Sequence, residues 1–171
     1  SVVFNADNQS QVVDATQLGT VVFPNSPPLT ANLGGGDDTL YAPTGVDTID
    51  LGAGDDTLYA NLADAVDASV SMGSGAADRL VLRGTPNPDT ITATSTNATL
   101  TVREQATGLD LTHTATGVDR LEVLGLIGGD AISTAAVDLT SDVDHVVLDG
   151  GSDNDTLIAG PQPTTIRSGD G

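Results

Sequence analysis

The chain has 171 residues, of which 24 are acidic and 5 basic, and its formal net charge is -19. This charge disfavours nucleic acids and anionic membranes as partners, because their phosphates would be repelled, and it favours cations. Hydrophobic residues make up 38% of the chain, which is too many for a purely solvated acidic tail. We therefore expect one elongated domain with a core of its own.

Residue types that are missing or rare restrict the possible fold classes and binding sites further. Cysteine is absent, which excludes a disulfide framework and a zinc–thiolate site. No apolar run approaches the roughly 18 residues of a membrane span, so we expect no membrane insertion. Glutamate occurs only at positions 104 and 122, and aspartate favours turns over helices. The composition predicts many tight turns and few helices.

The first 32 residues hold short aliphatic segments at positions 2–4, 12–13 and 21–23. Three prolines follow before any repeat begins, at positions 24, 27 and 28. We interpret residues 1–32 as N-terminal strands that form a cap or a preceding coil.

The clearest repeat comes next, where Gly-x-Asp-Thr-aliphatic starts at Gly36, Gly45 and Gly54, nine residues apart. A helix would spread these residues over every face, and each glycine would cost it about 1 kcal/mol. Short strands fit better, with the middle aliphatic residue inward and glycine in the turns. One coil cannot bury its apolar face alone, so coils must stack. The repeats in residues 33–91 therefore predict an all-β solenoid of short strands and Gly-Asp turns.

A longer two-part unit follows, starting at Asp78, Asp119 and Asp144. The second and third copies are offset by 25 residues, whereas the first and second are offset by 41. The additional residues fall in the Thr-rich segment 92–117, whose alternation and turn signals at Asn97 and Gly108 predict an inserted β-hairpin. We expect residues 118–171 to form longer coils. Residues 165–171 resemble a strand and turn that stop before the next strand, so we expect a longer parent protein.

Stacked coils also stack their acidic residues. Carboxylates at a coil spacing of roughly 5 Å repel each other by about 3 kcal/mol at an effective dielectric of about 20. A bound cation would remove this cost, and an all-oxygen ligand set suits Ca²⁺, while only His113 and His145 would suit softer metals. Alternate repeats share an edge, so we expect two rows of aspartates: Asp38, Asp56 and Asp78 on one edge, and Asp47, Asp67 and Asp89 on the other.

Three segments carry a family resemblance: LGGGDDTLY from Leu33, LGAGDDTLY from Leu51 and GGSDNDTLI from Gly150. They resemble the RTX family of haemolysin-type calcium-binding repeats, with consensus G-G-x-G-x-D-x-U-x, where U is a large aliphatic residue. The resemblance implies a parallel β-roll in which the sixth-position Asp and backbone oxygens of the preceding turn bind Ca²⁺ between coils. The implied carboxylates are those of Asp38, Asp56 and Asp155 and, by looser matches, Asp47, Asp89 and Asp130. The implied turn glycines are Gly34, Gly36, Gly52, Gly54 and Gly150.

Some later turns depart from this consensus. Asp153 replaces the fourth-position glycine, Leu126 and Ile127 occupy a turn that should be small, and Pro86 and Pro88 flank Asn87. We expect these turns to bind calcium weakly or not at all. For each aspartate, a plain role as a turn or cap residue without metal stays open.

Two outer-surface features have alternative interpretations. Thr-x-Thr pairs between positions 90 and 101 are compatible with a flat hydroxyl array for ice or glycan binding, although ordinary β-propensity also explains them. Tyr41 and Tyr59 lie two repeats apart, so we expect an external ladder of the two rings.

No catalytic residue emerges, because neither histidine has a Ser or Cys partner at a telling spacing, and we expect no enzyme. Our leading hypothesis is a calcium-binding structural segment of a large secreted or cell-surface bacterial protein, such as an adhesin, a surface-layer component or a matrix filament. Its folding would be coupled to Ca²⁺. The alternative is the non-catalytic RTX module of a secreted protease, lipase or polysaccharide-modifying enzyme. Open solenoid ends also suggest self-association.

Overall fold

The computed structural model describes residues 2–5, 7, 9–10, 12–14, 29–42, 48–62, 69–106, 109–138 and 142–171. All regular structure in these residues is β-strand, which confirms the predicted class. The described part of the chain contains no helix with the length and apolarity that a membrane crossing needs. The strands are β1 Val2–Asn5, β2 Val12–Asp14, β3 Leu29–Asn32, β4 Thr39–Tyr41, β5 Thr48–Asp50, β6 Thr57–Asn61, β7 Ser69–Ser71, β8 Arg79–Arg83, β9 Thr90–Thr96, β10 Thr99–Ala106, β11 Leu109–Thr116, β12 Arg120–Leu124, β13 Ala131–Ala136, β14 His145–Asp149, β15 Thr156–Ile158 and β16 Thr164–Arg167.

Outside the inserted strands, where β9, β10 and β11 all lie in one sheet, the chain alternates between two sheets, as a solenoid requires. Sheet A has the order β1-β3-β5-β7-β11-β10-β9-β13-β15, and sheet B has the order β16-β14-β12-β8-β6-β4-β2. Neighbouring strands are parallel except in the segment β9–β11. The predicted parallel β-roll is therefore confirmed.

The strand register follows the periods in the sequence. Leu40 pairs with Leu58 across one pair of nonapeptides, and Leu121 pairs with Val146 across the 25-residue offset. The 41-residue offset also holds, because Leu80 pairs with Leu121 and Ile91 with Ile132. Repeated aliphatic residues thus lie directly above one another along both sheets.

These stacked aliphatic rows form a single core between the sheets. Leu40 and Leu58 from sheet B and Ile49 from sheet A are each the buried second residue of a three- to five-residue strand. Burying such a side chain contributes about 1.5–3 kcal/mol. Because the strands are so short, the core depends on contacts between coils rather than on any single coil.

The predicted inserted hairpin is also confirmed. Strands β9 and β10 are antiparallel and joined by Asn97 and Ala98, which both have positive φ, 48° and 60°. Such a two-residue turn matches the right-handed twist of a hairpin. Strand β11 then returns antiparallel to β10 and pairs in parallel with β7, so β10 and β11 separate β7 from β9 in sheet A.

Two of the three predicted N-terminal strands lie among the described residues. Strand β1 extends sheet A beside β3, and β2 extends sheet B beside β4, both in parallel. The third, at residues 21–23, lies outside the described residues. The four-part division of the chain stays a prediction.

The outer face of sheet B carries the predicted aromatic ladder. The rings of Tyr41 and Tyr59 stack with their centroids 4.6 Å apart and their planes 6° from parallel. Arg79 of the next strand lies over the Tyr59 ring at 5.5 Å and donates to its hydroxyl at 2.9 Å.

Candidate metal centre

Four aspartates that each directly precede a strand of sheet B form a chain of hydrogen bonds, which we call the first ladder: Asp38, Asp56, Asp78 and Asp119. Asp38 N–H donates to Asp56 Oδ1 and Asp56 N–H to Asp78 Oδ1, both at 2.8 Å. Asp78 N–H donates to Asp119 Oδ2 at 2.8 Å. Each coil is thus joined to the next by one charge-assisted hydrogen bond.

A second ladder occupies the same position before strands of sheet A. Asp89 N–H donates to Asp130 Oδ1 at 2.8 Å, and Asp130 N–H donates to Asp155 Oδ1 at 2.9 Å. Since both ladders precede parallel strands in register, their spacing is that of the coils. The structure therefore brings the predicted ligands Asp38, Asp56 and Asp78 together on one edge, and Asp89, Asp130 and Asp155 on another.

The expected edge of Asp47, Asp67 and Asp89 needs a correction. Asp89 precedes β9, which neighbours β10 and β13 rather than β7, so Asp89 continues toward Asp130. The inserted strands cause the interruption. Asp47 and Asp67 lie outside the described residues.

Asp119 belongs to the first ladder although it was not among the predicted ligands. The 41-residue match between DRLVLRG from Asp78 and DRLEVLG from Asp119 is the signal that places it.

Most of the ladder aspartates are buried, and several have one carboxylate oxygen without a hydrogen-bond partner. Asp56 is 0% exposed and Asp130 2% exposed. The Oδ2 atoms of Asp56, Asp130 and Asp155 have no hydrogen-bond partner. A buried carboxylate oxygen without a donor costs about 1–3 kcal/mol or more. Hard cations bind oxygens of this kind, so the donor set fits Ca²⁺.

The pKa values of these carboxylates reflect the same burial. Burial raises the pKa of Asp56 to about 6, against the hydrogen bond from Asp38 N–H, and the charges of Asp78 and Asp38 raise it further. Burial raises the pKa of Asp130 to about 6 in the same way, with Asp89 and Asp155 adding to the effect. The pKa of Asp78 is also raised, mainly by burial. Without a counter-charge, the ionised form of each group is disfavoured, and protons compete with cations for it.

Four predicted turn glycines have the backbone that the motif needs. Gly34, Gly36, Gly52 and Gly54 have φ of 95°, 99°, 103° and 137°, a region that L side chains rarely adopt. A Cβ on Gly52 would also collide with Gly34 O, and one on Gly54 with Gly36 O. Glycine is therefore required here both by φ and by the close approach of the carbonyls of the preceding coil.

The fifth predicted glycine, Gly150, has a different environment. A Cβ on it would collide with the Asp155 carboxylate, so Gly150 makes room for a ladder side chain. Its neighbours Gly151 and Asp153 have φ of 93° and 82°, and Leu126 in the preceding coil has φ of 84°. Two of the turns that depart from the consensus, those at Leu126 and Asp153, thus keep the left-handed backbone, at a cost in strain.

The proline-flanked turn satisfies its aspartate internally. Thr85 N–H donates to Asp89 Oδ2 at 2.6 Å, and the Thr85 hydroxyl donates to Asp89 Oδ1 at 2.8 Å. This arrangement is compatible with the expectation that this turn binds weakly.

The carboxylates are distributed along the ladders rather than clustered. Among the described residues, no three acidic or histidine side chains converge on one point. A cation at a ladder would therefore take one or two carboxylates from adjacent coils and complete its shell with main-chain carbonyls and water. Ca²⁺ tolerates such flexible sets of six to eight oxygens.

Two-sheet parallel coils, left-handed glycine turns and stacked buried aspartates define a β-roll with oxygen-lined corners. A family model, the RTX calcium-binding nonapeptide repeat, matches in four copies over residues 32–64 and 144–171. The chain therefore carries RTX repeats, as the resemblance predicted, and Ca²⁺ is the ion that these repeats bind. Searches of curated proteins and of solved structures find no match to the chain.

Proposed function

We propose that this chain is a calcium-dependent structural β-solenoid segment of a large secreted or cell-surface bacterial protein. The observation that carries the proposal is the set of buried aspartate oxygens without donors, repeated from coil to coil at Asp56, Asp130 and Asp155. Because the same uncompensated carboxylate oxygen recurs from coil to coil, a cation bound at each repeat would compensate it best.

The proposed ligands are the ladder carboxylates with the carbonyls of the glycine turns. In the nonapeptide region these are Asp38, Asp56 and Asp78 with the turns at Gly34, Gly36, Gly52 and Gly54. In the later coils they are Asp130 and Asp155. Asp89 is proposed as well, although Thr85 already donates to both of its carboxylate oxygens. Asp47 and Asp67 are proposed from the repeat alone. When bound, Ca²⁺ would neutralise adjacent carboxylates and hold successive coils together.

Folding coupled to calcium follows from the energies involved. At millimolar free Ca²⁺ and a site constant of roughly 0.1 mM, each occupied site adds about 1–3 kcal/mol. A few such sites match the total stability of an ordinary domain, roughly 5–15 kcal/mol. The net charge of -19 opposes compaction when the sites carry no ion. The protein would fold where calcium is abundant, as it is outside cells.

Two settings for such a segment remain distinct proposals. The first is a structural component: an adhesin, a surface-layer protein or a matrix filament. The second is the non-catalytic module of a secreted enzyme. The regular strand ladders support the structural setting, and the domains encoded beside this segment in the full gene would decide between the two.

Circular dichroism with and without a chelator tests the coupling. We expect a β-sheet signal and a cooperative melt in about 5 mM Ca²⁺, a concentration on the order of extracellular levels. After chelation we expect a largely unfolded spectrum. Mg²⁺ at the same concentration is the control, because its smaller octahedral shell suits these corners poorly. An identical spectrum and melting temperature in chelator would refute the proposal.

Self-association through the solenoid ends is part of the same proposal. Strands β15 and β16 lie at the edges of their sheets, and Ile158 and Ile166 on them are exposed at 49% and 51%. Unpaired strand edges with apolar side chains favour pairing with another chain. Sedimentation velocity across protein and calcium concentrations tests this, and a single monomeric species throughout would contradict it.

A further inference from the structure

The inserted strand β10 places a glutamate inside the solenoid. Glu104 is 1% exposed and lies in the inward row of β10 that also contains the buried Leu100 and Val102. In the antiparallel register with β9 it stands opposite Ile91, another core residue. A carboxyl group in an aliphatic row needs a specific partner, because a buried charge is stable only when it is compensated.

The neighbour of Glu104 is another acid. Its carboxyl group lies within hydrogen-bonding reach of Asp89, and burial, together with Asp89, raises the pKa of Glu104 to about 7. Its Oε1 atom is buried and has no hydrogen-bond partner. The contrast with Glu122, the second glutamate of the chain, is direct: Glu122 accepts hydrogen bonds from Arg79 and Arg120.

Asp89 is held rigidly as the other half of this pair. Thr85 donates to both of its carboxylate oxygens, and Asp89 N–H donates to Asp130. Each Asp89 oxygen keeps a second lone pair, since one carboxylate oxygen accepts up to two partners. The pair therefore presents free oxygen lone pairs and no donor of its own when both groups are ionised.

We propose that Glu104 and Asp89 together bind a divalent cation, Ca²⁺, at a site separate from the nonapeptide corners, which ties the inserted strands to the solenoid coil. Main-chain oxygens and water would complete its shell. A proton shared between the two carboxyl groups is the competing arrangement, but it would leave Glu104 Oε1 without a partner. A cation bridging the pair engages that oxygen as well, and it neutralises both charges at once.

Counting bound ions tests the site. Equilibrium dialysis against saturating Ca²⁺, with metal content measured by atomic emission, gives the number of ions per folded chain. We expect Glu104→Gln to bind one ion fewer than the unmodified protein. Glu122→Gln is the matched control, and it should bind the unmodified number.

A second variant distinguishes loss of the ion from loss of the fold. Glu104→Leu continues the aliphatic row of Leu100 and Val102 and needs no cation at that position, so it should fold and also lack one ion. Hydrogen exchange adds a local readout: calcium-dependent protection of the β10 amides should disappear in both variants, while that of β6 and β8 persists. Any ion count other than one fewer in the folded variants would overturn the proposal.

This result is separable from the calcium dependence of the fold as a whole. Asp56→Asn alters the first ladder and should leave the Glu104 site intact, including the protection of β10. If chelation failed to unfold the protein, the ladder proposal would fall, while the ion count of the Glu104 variants would still decide this one.

Discussion

At the scale of the residue, three ladder aspartates, Asp56, Asp130 and Asp155, use their two carboxylate oxygens for different tasks. In Asp56, Oδ1 accepts the N–H of Asp38, whereas Oδ2 has no partner. The first oxygen joins coils without any ion, and the second is available to a cation. Part of the repulsion expected between stacked carboxylates is therefore offset by the backbone itself.

Because the two carboxylate oxygens of Asp56 have different roles, Asp56→Asn tests the proposed ligand set directly. The amide oxygen can still accept the Asp38 N–H, so the fold should persist in Ca²⁺, but one anionic ligand is lost. We expect calcium affinity at that corner to fall about 10- to 100-fold, or about 1.4–2.8 kcal/mol, measured by calorimetric titration.

The control is Asp50→Asn, the same chemical change at an exposed position on β5. It should leave the affinity unaltered. Equal affinities for Asp56→Asn and the unmodified protein would remove Asp56 from the ligand set.

Leu126 offers a residue-scale test of backbone strain. Its φ of 84° costs a non-glycine residue about 1–2 kcal/mol, whereas glycine there costs about 0.5–1 kcal/mol in chain entropy. We expect Leu126→Gly to stabilise the calcium-bound protein by up to about 1 kcal/mol in denaturant melts. Ile127→Gly, next to it and without positive φ, should instead destabilise, and the opposite order would contradict the strain argument.

At the scale of the element, strands β8 and β12 are joined on the outer face of sheet B by an ion-pair network. Arg79 contacts both oxygens of Glu122, at 2.9 and 2.7 Å, and Arg120 approaches Glu122 Oε1 at 2.6 Å. The Arg79 side chain also covers Tyr59. The two arginines hold the pKa of Glu122 at about 2, below its ordinary 4.5.

The network predicts a pH-dependent contribution to stability. Because the pKa of Glu122 is lower in the folded state, its stabilisation is complete above about pH 5 and is lost as pH falls from 4.5 toward 2. We expect Glu122→Gln to cost about 1–2 kcal/mol at pH 7, an amount limited by the exposure of the arginines, 33% and 40%. The difference from the unmodified protein should shrink below pH 4.5.

Denaturant melts in saturating Ca²⁺ at several pH values measure this difference. Asp149→Asn is the control, since its pair with Arg167 is longer, 3.7 Å, and more exposed. It should change stability by less than about 0.5 kcal/mol. A Glu122→Gln cost that stays constant down to pH 3 would contradict the assignment.

The extent to which the elements follow from sequence depends on repetition. The 25- and 41-residue offsets predicted which strands pair and in which register, because a parallel solenoid converts sequence period directly into stacking. The inserted strands have no repeat to align with, so the place of β10 in sheet A could not be predicted, nor could the contact of Glu104 with Asp89. The consensus match predicts only that Gly150 lies in a turn. The structure shows that Gly150 also leaves room for the carboxylate of Asp155.

At the scale of the whole molecule, the net negative charge destabilises the fold, and bound calcium offsets this effect. The net charge of -19 repels itself within a narrow solenoid, and bound Ca²⁺ neutralises the buried part of it. In limiting Ca²⁺, at which the protein is only partly ion-loaded but still folded, we expect it to gain stability when NaCl is raised from about 10 to about 500 mM, because the Debye length falls from about 30 Å to a few Å.

The expected gain is about 1–2 kcal/mol, or roughly 3–8 °C in melting temperature for a chain of this size. Calorimetry at several salt concentrations measures it. In saturating Ca²⁺ the same titration should raise the melting temperature much less. A larger salt effect in the calcium-bound protein would contradict the electrostatic account.

The hydrogen bonds to the ladder carboxylates run in a single direction, because each of the five N–H donors lies in the coil that precedes its carboxylate in sequence: Asp38, Asp56, Asp78, Asp89 and Asp130. The carboxylate ladder therefore has a direction, so the groups that a coil offers to the coil before it differ from those that it offers to the coil after it. Copies that joined end to end in the same sense would continue this order and produce a head-to-tail fibre with a plus and a minus end, not a symmetric dimer.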